Sequence, residues 1–123
     1  MDTVLWVTQA IVALAMLASG GMKMVTPRDR LIERMGWASD FSANQIRFFG
    51  IIEVLGGLGL VAPPALGILP ILTPIAATGL LVVMAGAAVT HARRGEKAMI
   101  MAPVVLGALC AVIAIGRFVW VPF

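Results

Sequence analysis

Charge is the scarcest property of this chain: Asp, Glu, Lys and Arg make up 12% of its 123 residues. A soluble domain carries about 25% charged and about 45–50% apolar residues. Here 61% are hydrophobic and the mean hydropathy is +1.04. That excludes an ordinary water-soluble domain, and also disorder, which needs low hydrophobicity and high charge. A single cysteine, Cys110, allows neither an intramolecular disulfide nor a CxxC redox pair. A single histidine, His91, with no cysteine cluster leads us to expect no metal. What the chain has instead is long apolar runs, the mark of a small integral membrane protein.

Crossing the hydrocarbon core takes about 20 mostly apolar residues, and four segments qualify. The first, about 3–24, opens with an uncharged run from Thr3 to Met22; Asp2 is the only charge before it, so it reads as a retained span and not a signal peptide. The second, about 45–62, has Ser42 and Gln45 spaced as a capping box and Pro63-Pro64 as its expected end. The third, about 74–92, has Thr73 as expected N-cap and Pro74 at its first position. The fourth, about 100–121, carries Pro103 in its expected first turn. The expected fold is an all-α, four-helix membrane bundle forming one domain over residues 1–123. Between spans one and two, Thr26-Pro27-Arg28-Asp29 starts a short amphipathic helix. Leu31, Ile32 and Met35 lie on one side of it, and Arg28, Arg30, Glu33 and Arg34 on the other. It suits either the headgroup region or a plain surface loop.

The cations set an orientation. Lys23, Arg28, Arg30, Arg34 and Arg47 flank the first loop, and Arg93, Arg94 and Lys97 occupy the third; the N-terminus and second loop have none. The positive-inside rule puts loops one and three in the cytoplasm and both termini outside, in a plasma (inner) membrane. Trp6 and Trp120 then fall at one interface and Trp37 at the other. The net charge of +3 thus reflects topology, and nucleic acid is not an expected partner.

Any chemistry must come from polar groups in or beside the spans: Gln9, Lys23, Glu53, His91 and Arg117, with Arg47 at the mouth of span two. A charge at mid-bilayer costs about 2.5–3.5 kcal/mol on insertion scales and normally faces a partner, cavity or pathway. Glu53 shares a helical stripe with Gly50 and Gly57, and Gln9 and Lys23 share one with Ala13 and Gly20. Such small companions let helices approach closely, so these side chains are expected to point inward. At 1.5 Å per residue, Glu53 lies roughly 12 Å from the basic end of its helix. Lys23 and His91 lie near that end, and Arg117 nearer the other. We expect a cluster centred on Glu53, with Lys23 and His91 on its basic side and the membership of Arg117 open. Glu53 and His91 are candidate acid–base groups; Lys23, Arg117, Gln9 and Arg47 are candidate ligand-binding groups. The structural alternatives are a buried pair that fixes helix register, a snorkelling Lys23, and a Gln9 that only joins two helices. Cys110 and the eight Met read as packing residues.

The order of several strings resembles the DoxX-like family of small four-helix membrane proteins. They are Gly21-Met22-Lys23, Arg47-Phe48-Phe49-Gly50-Ile51-Ile52-Glu53, Gly59-Leu60 with Pro63, Gly86 to His91 followed by Arg93-Arg94-Gly95-Glu96, and Gly116-Arg117-Phe118. The resemblance implies a four-helix bundle and singles out Lys23, Glu53, His91, Glu96 and Arg117. It also implies a link to quinone-dependent oxidation, or a role as partner or chaperone of other membrane proteins. The chain itself carries no haem-ligand pair or flavin motif.

Four functions are compatible with these residues. The first is a membrane subunit handling a lipophilic, quinone-like molecule for a partner membrane protein or redox enzyme. The second is a stand-alone acid–base enzyme, an isomerase or hydratase, acting on a lipid-soluble substrate; it requires an open cavity near Glu53. The third is a small-drug-resistance type transporter, disfavoured because its acid belongs in the first span and because the cation bias here opposes dual topology. The fourth is a scaffold or assembly factor without chemistry. The small-residue faces also suit a homodimer.

Overall fold

The computed structural model describes residues 1–123 and contains no strand. In chain order the elements are α1 (Asp2–Val25), α2 (Arg28–Arg34), a 3-10 turn (Gly36–Asp40), α3 (Ala43–Leu66), α4 (Leu72–Arg93) and α5 (Lys97–Ile115). A π-helical turn (Gly116–Trp120) follows α5. α1, α3, α4 and α5 with its π turn are each long and apolar enough to cross a bilayer. The chain is therefore a small four-span integral membrane protein.

α1 lies along α3, α4 lies along α5, and α3 joins the two pairs; α5 returns to α1 along a thinner seam. Met16, Leu60, Leu80, Met84 and Ile113 meet in the core, while Leu14, Leu55 and Val82 face outward. Glycine sets the α1–α3 spacing. A Cβ on Gly20 would stand 2.6 Å from the Gly50 carbonyl oxygen, and one on Gly50 would stand 2.7 Å from the Gly20 oxygen. The two backbones touch there, as small residues allow in lipid. That contact brings Ser19 and Lys23, on either side of Gly20, up to Glu53.

The link between α1 and α3 folds over the basic end of the bundle. Leu31 of α2 is buried with Ala38 and Ile46, while Arg30, Glu33 and Arg34 are exposed. Arg28 ties the segment down by donating from Nε to the Phe41 carbonyl (2.7 Å) and from Nη2 to that of Ser39 (3.2 Å). At the start of α3 the expected capping box is present: Gln45 N–H donates to Ser42 Oγ at 3.2 Å, and Ser42 N–H to Gln45 Oε1 at 2.9 Å.

Three helix ends differ from expectation. Pro63 and Pro64 do not stop α3, which runs on to Leu66 and ends at Gly67, in the left-handed conformation at φ +70. A proline inside a helix withholds the N–H that would serve the carbonyl four residues earlier, here Gly59 and Leu60. Side chains from neighbouring helices serve those two carbonyls instead: Thr73 Oγ1 donates to Gly59 O at 3.0 Å and Gln9 Nε2 to Leu60 O at 2.6 Å. This is how helix-breaking residues are tolerated where no water can stand in. It also accounts for the second difference. Thr73 is not the N-cap of α4, which begins two residues earlier than expected, at Leu72, with Ile71 as N-cap, no side-chain cap, and Pro74 third in the helix; the Thr73 hydroxyl is engaged by α3. Third, α5 begins at Lys97, so Pro103 lies inside the helix and not in its first turn.

These bonds give the first prediction. Gln9→Ala leaves the Leu60 carbonyl with only the 3.5 Å bond from Thr73 Oγ1 and takes away the acceptor of Arg117 Nε. It is expected to cost about 1–3 kcal/mol for the carbonyl and a further amount for the guanidinium. In a Pro64→Ala background, where an alanine N–H can serve Leu60, the cost should shrink. Reversible denaturation in mixed micelles measures both; equal costs in the two backgrounds would disprove the pairing.

Candidate functional site

Inside the basic end of the bundle lies a cavity of about 670 Å³, bounded by α1, α3, α4, α5 and the folded-over link. Its wall is mostly apolar: Met16, Met22, Phe49, Ile52, Val83 and Leu106 are representative. Trp37 and Phe41 of the link close it toward the basic end, and Phe41 meets Phe49 edge-on at 5.1 Å. The polar wall residues are Ser19, Lys23, Glu53, Thr90 and His91.

Three of these form one network. Lys23 Nζ donates to Glu53 Oε1 at 2.6 Å and to Ser19 Oγ at 3.1 Å, and Ser19 Oγ donates to Glu53 Oε2 at 3.0 Å. The Glu53 side chain is 3% exposed. Lys23 Nζ also stands 5.5 Å from the centre of the Trp37 ring. A carboxylate, an ammonium and a hydroxyl thus bond one another at the edge of an apolar chamber. Together they offer a guest one acceptor, one donor and one group that does both, with no net charge. Charges in such a site act more strongly than in water.

His91 lines the same cavity but does not join this network. Its Nδ1 donates to Glu96 Oε1 at 3.1 Å, and Arg94 Nε donates to that same oxygen at 3.2 Å. Arg94 Nη1 reaches back to Asp40 Oδ2 at 2.9 Å. The Asp40 hydrogen bond outweighs desolvation and, with the Asp40 and Glu96 charges, raises the Arg94 pKa. Asp40, Arg94, Glu96 and His91 thus form a chain from the folded-over link to the cavity wall. The expected cluster of Glu53, Lys23 and His91 is one chamber with two separate networks, Glu53 and Lys23 in one and His91 in the other.

Arg117 and Gln9 lie elsewhere. Arg117 Nε donates to Gln9 Oε1 at 2.7 Å, and Nη1 donates to Asp2 Oδ1 at 2.7 Å and to the Val121 carbonyl at 3.0 Å. The guanidinium carbon lies 4.0 Å from the Phe123 ring centre and 5.7 Å from that of Trp6. This second cluster fastens the end of α5 to the start of α1, away from the cavity. The π turn aims Arg117 inward: Val121 N–H bonds Gly116 O at 2.6 Å, and Gly116 has no side chain to strike Leu5. Arg47, a candidate ligand-binding residue, is exposed and does not line the cavity; it sits on the outer side of its helix, one position beyond the buried Ile46. Ser19 was missing from the candidates. Its place one helical turn before Lys23, on the same face, was the available signal.

No curated protein and no solved structure matches the chain. The family model of the DoxX-like family matches residues 7–113, a stretch that contains Lys23, Glu53, His91 and Glu96 together with all but the end of the last span. On that match this four-span chain belongs to the DoxX-like family.

Proposed function

We propose that this protein is a membrane subunit or accessory protein that holds an uncharged, lipophilic molecule with hydrogen-bonding oxygens, of quinone type, in the cavity beside Glu53. One observation carries the proposal: a cavity of about 670 Å³, largely apolar, has the Ser19–Lys23–Glu53 network in its wall. Pockets for small molecules have this composition, mostly apolar with a few convergent polar groups. A carbonyl oxygen would accept from Lys23 Nζ, and a phenolic hydroxyl of the reduced form would donate to Glu53. His91 would exchange protons with water at the basic end through Glu96, to which its Nδ1 is bonded. With loops one and three in the cytoplasm, as the cation bias favours, the cavity lies on the cytoplasmic side. Electrons would come from a partner redox protein.

The second reading is an acid–base enzyme acting alone on a lipid-soluble substrate. The open chamber next to Glu53 favours it, since such an enzyme needs room there. It differs from the first in producing a changed product without any partner.

The test is binding of a decyl-benzoquinone to the protein in lipid nanodiscs. Ala87 lines the cavity and is half-buried, so Ala87→Phe fills space without displacing core side chains. It should weaken binding about tenfold or more, at least 1.4 kcal/mol, with an unchanged melting temperature. Wild-type protein that does not bind saturably, or an Ala87→Phe variant that binds equally well, overturns the proposal.

A further inference from the structure

We propose that a groove on the outer face of α4 and α5 is the tail subsite of this cavity. The ligand is then a single-tailed amphiphile, its head at Ser19, Lys23 and Glu53 and its chain leaving the bundle between Met84 and Pro103. This rests on the cavity being a ligand site.

The groove measures about 190 Å³ and is lined by Ala85 and Ala88 of α4 and by Val104, Ala108 and Ala111 of α5, among others; no polar side chain lines it. Met84 and Pro103 line both the groove and the cavity, so the two spaces share one wall. Ala85, Val104 and Ala108 are exposed on the bundle's surface, within the span of the crossing helices. The groove therefore opens toward acyl chains.

Two of the other helix seams and the basic end are closed, while the seam between α1 and α5 is thinner. Between α1 and α3 the Gly20 and Gly50 backbones touch. Between α3 and α4, a Cβ on Gly56 would meet Leu80 at 2.6 Å and one on Gly59 would meet Ala76 at 2.8 Å. Toward the basic end the link is tied by Arg28 and by the Asp40–Arg94 pair.

The shared wall is built to yield. Met84 is unbranched and changes rotamer readily. Opposite it stands Gly107, which has no side chain of its own to set against Met84; a Cβ there would lie 3.4 Å from the Met84 Cβ. Pro103 withholds an N–H from the Met99 carbonyl and so loosens the first part of α5. An acyl or isoprenoid chain gains little by exchanging lipid for this groove, because lipid tails are as apolar as the groove itself. The groove's role is to let the tail out while the head is held, so blocking it excludes a tailed ligand by steric conflict.

The experiment compares two probes in nanodiscs: 2,3-dimethoxy-5-methyl-1,4-benzoquinone, which has no tail, and its 6-decyl derivative. Quenching of Trp37 fluorescence, with Trp6 and Trp120 replaced by Phe, reads the binding. Ala85→Phe and Ala108→Phe fill the groove from opposite helices without lining the cavity. Each is expected to weaken the decyl compound about tenfold or more while leaving the tail-less compound unchanged. Unchanged binding of both probes, or equal loss of both in two variants with wild-type melting, overturns the tail subsite alone. Saturable binding of neither probe to the unblocked protein overturns the cavity assignment and the subsite with it. A groove variant that alters oligomer size without affecting either probe marks the groove as a contact between copies and also overturns the subsite.

Discussion

Glu53→Leu is expected to cost about 3–5 kcal/mol of folding free energy, and adding Lys23→Met should return most of it. Breaking a buried ion pair by removing one partner costs that much because the remaining charge is left uncompensated; replacing both partners with well-packed apolar residues is often neutral. The geometry fits this case, with a 2.6 Å contact and side-chain exposures of 12% for Lys23 and 3% for Glu53. Ser19 would lose only the Glu53 acceptor and can turn toward a backbone carbonyl of its own helix. Denaturation of the single and double variants in the same micelles supplies the double-mutant cycle. The stable double variant should nevertheless bind no quinone, which separates what the pair does for the fold from what it does for a guest. A double variant as unstable as Glu53→Leu alone would show that the pair is not the source of the cost.

Gly50→Val should produce the next largest effect. The added Cβ meets the Gly20 carbonyl at 2.7 Å, and the branched methyls have no room beyond it. Backbone cannot rotate away as a side chain can, so α1 and α3 must separate. Overpacking costs about 1–3 kcal/mol and occasionally more. Here the separation also pulls Ser19 and Lys23 off Glu53, so the loss should reach the top of that range and quinone binding should disappear with it. Gly79→Val serves as control: a Cβ there meets nothing within 4 Å, and the variant should keep both stability and binding. Equal losses at the two positions would mean that valine in the helix, and not the helix contact, is responsible.

How far the sequence revealed these features depended on whether the deciding physics was local. Ser42 and Gln45 announce a capping box because both bonds lie within three residues. Glu53 between Gly50 and Gly57 announces an inward carboxylate because small residues mark helix contacts. Lys23 could be matched to it by depth alone. The ends around Pro63, Pro64 and Thr73 were misjudged because in water a proline pair ends a helix, whereas here two neighbouring helices supply the missing donors. The place of Arg117 depended on which helices are neighbours. Once α5 returns to α1, Gln9 and Asp2 stand opposite Arg117, an adjacency that no single-helix pattern encodes. His91 looked free to join Glu53 because the tight α4–α5 turn, which folds Glu96 back onto it, is a matter of loop geometry. The cavity arises from all four spans and the link together, and no single span shows it.

The acid and the base that neutralises it belong to the same hairpin, 30 residues apart, with the base earlier in the chain. During biosynthesis Lys23 therefore leaves the ribosome before Glu53. The buried acid of the second span has its counter-ion within the first half of the molecule and need not wait for the second. Exchanging the order of the two hairpins by circular permutation would keep the Lys23–Glu53 pair and change which helices arrive first.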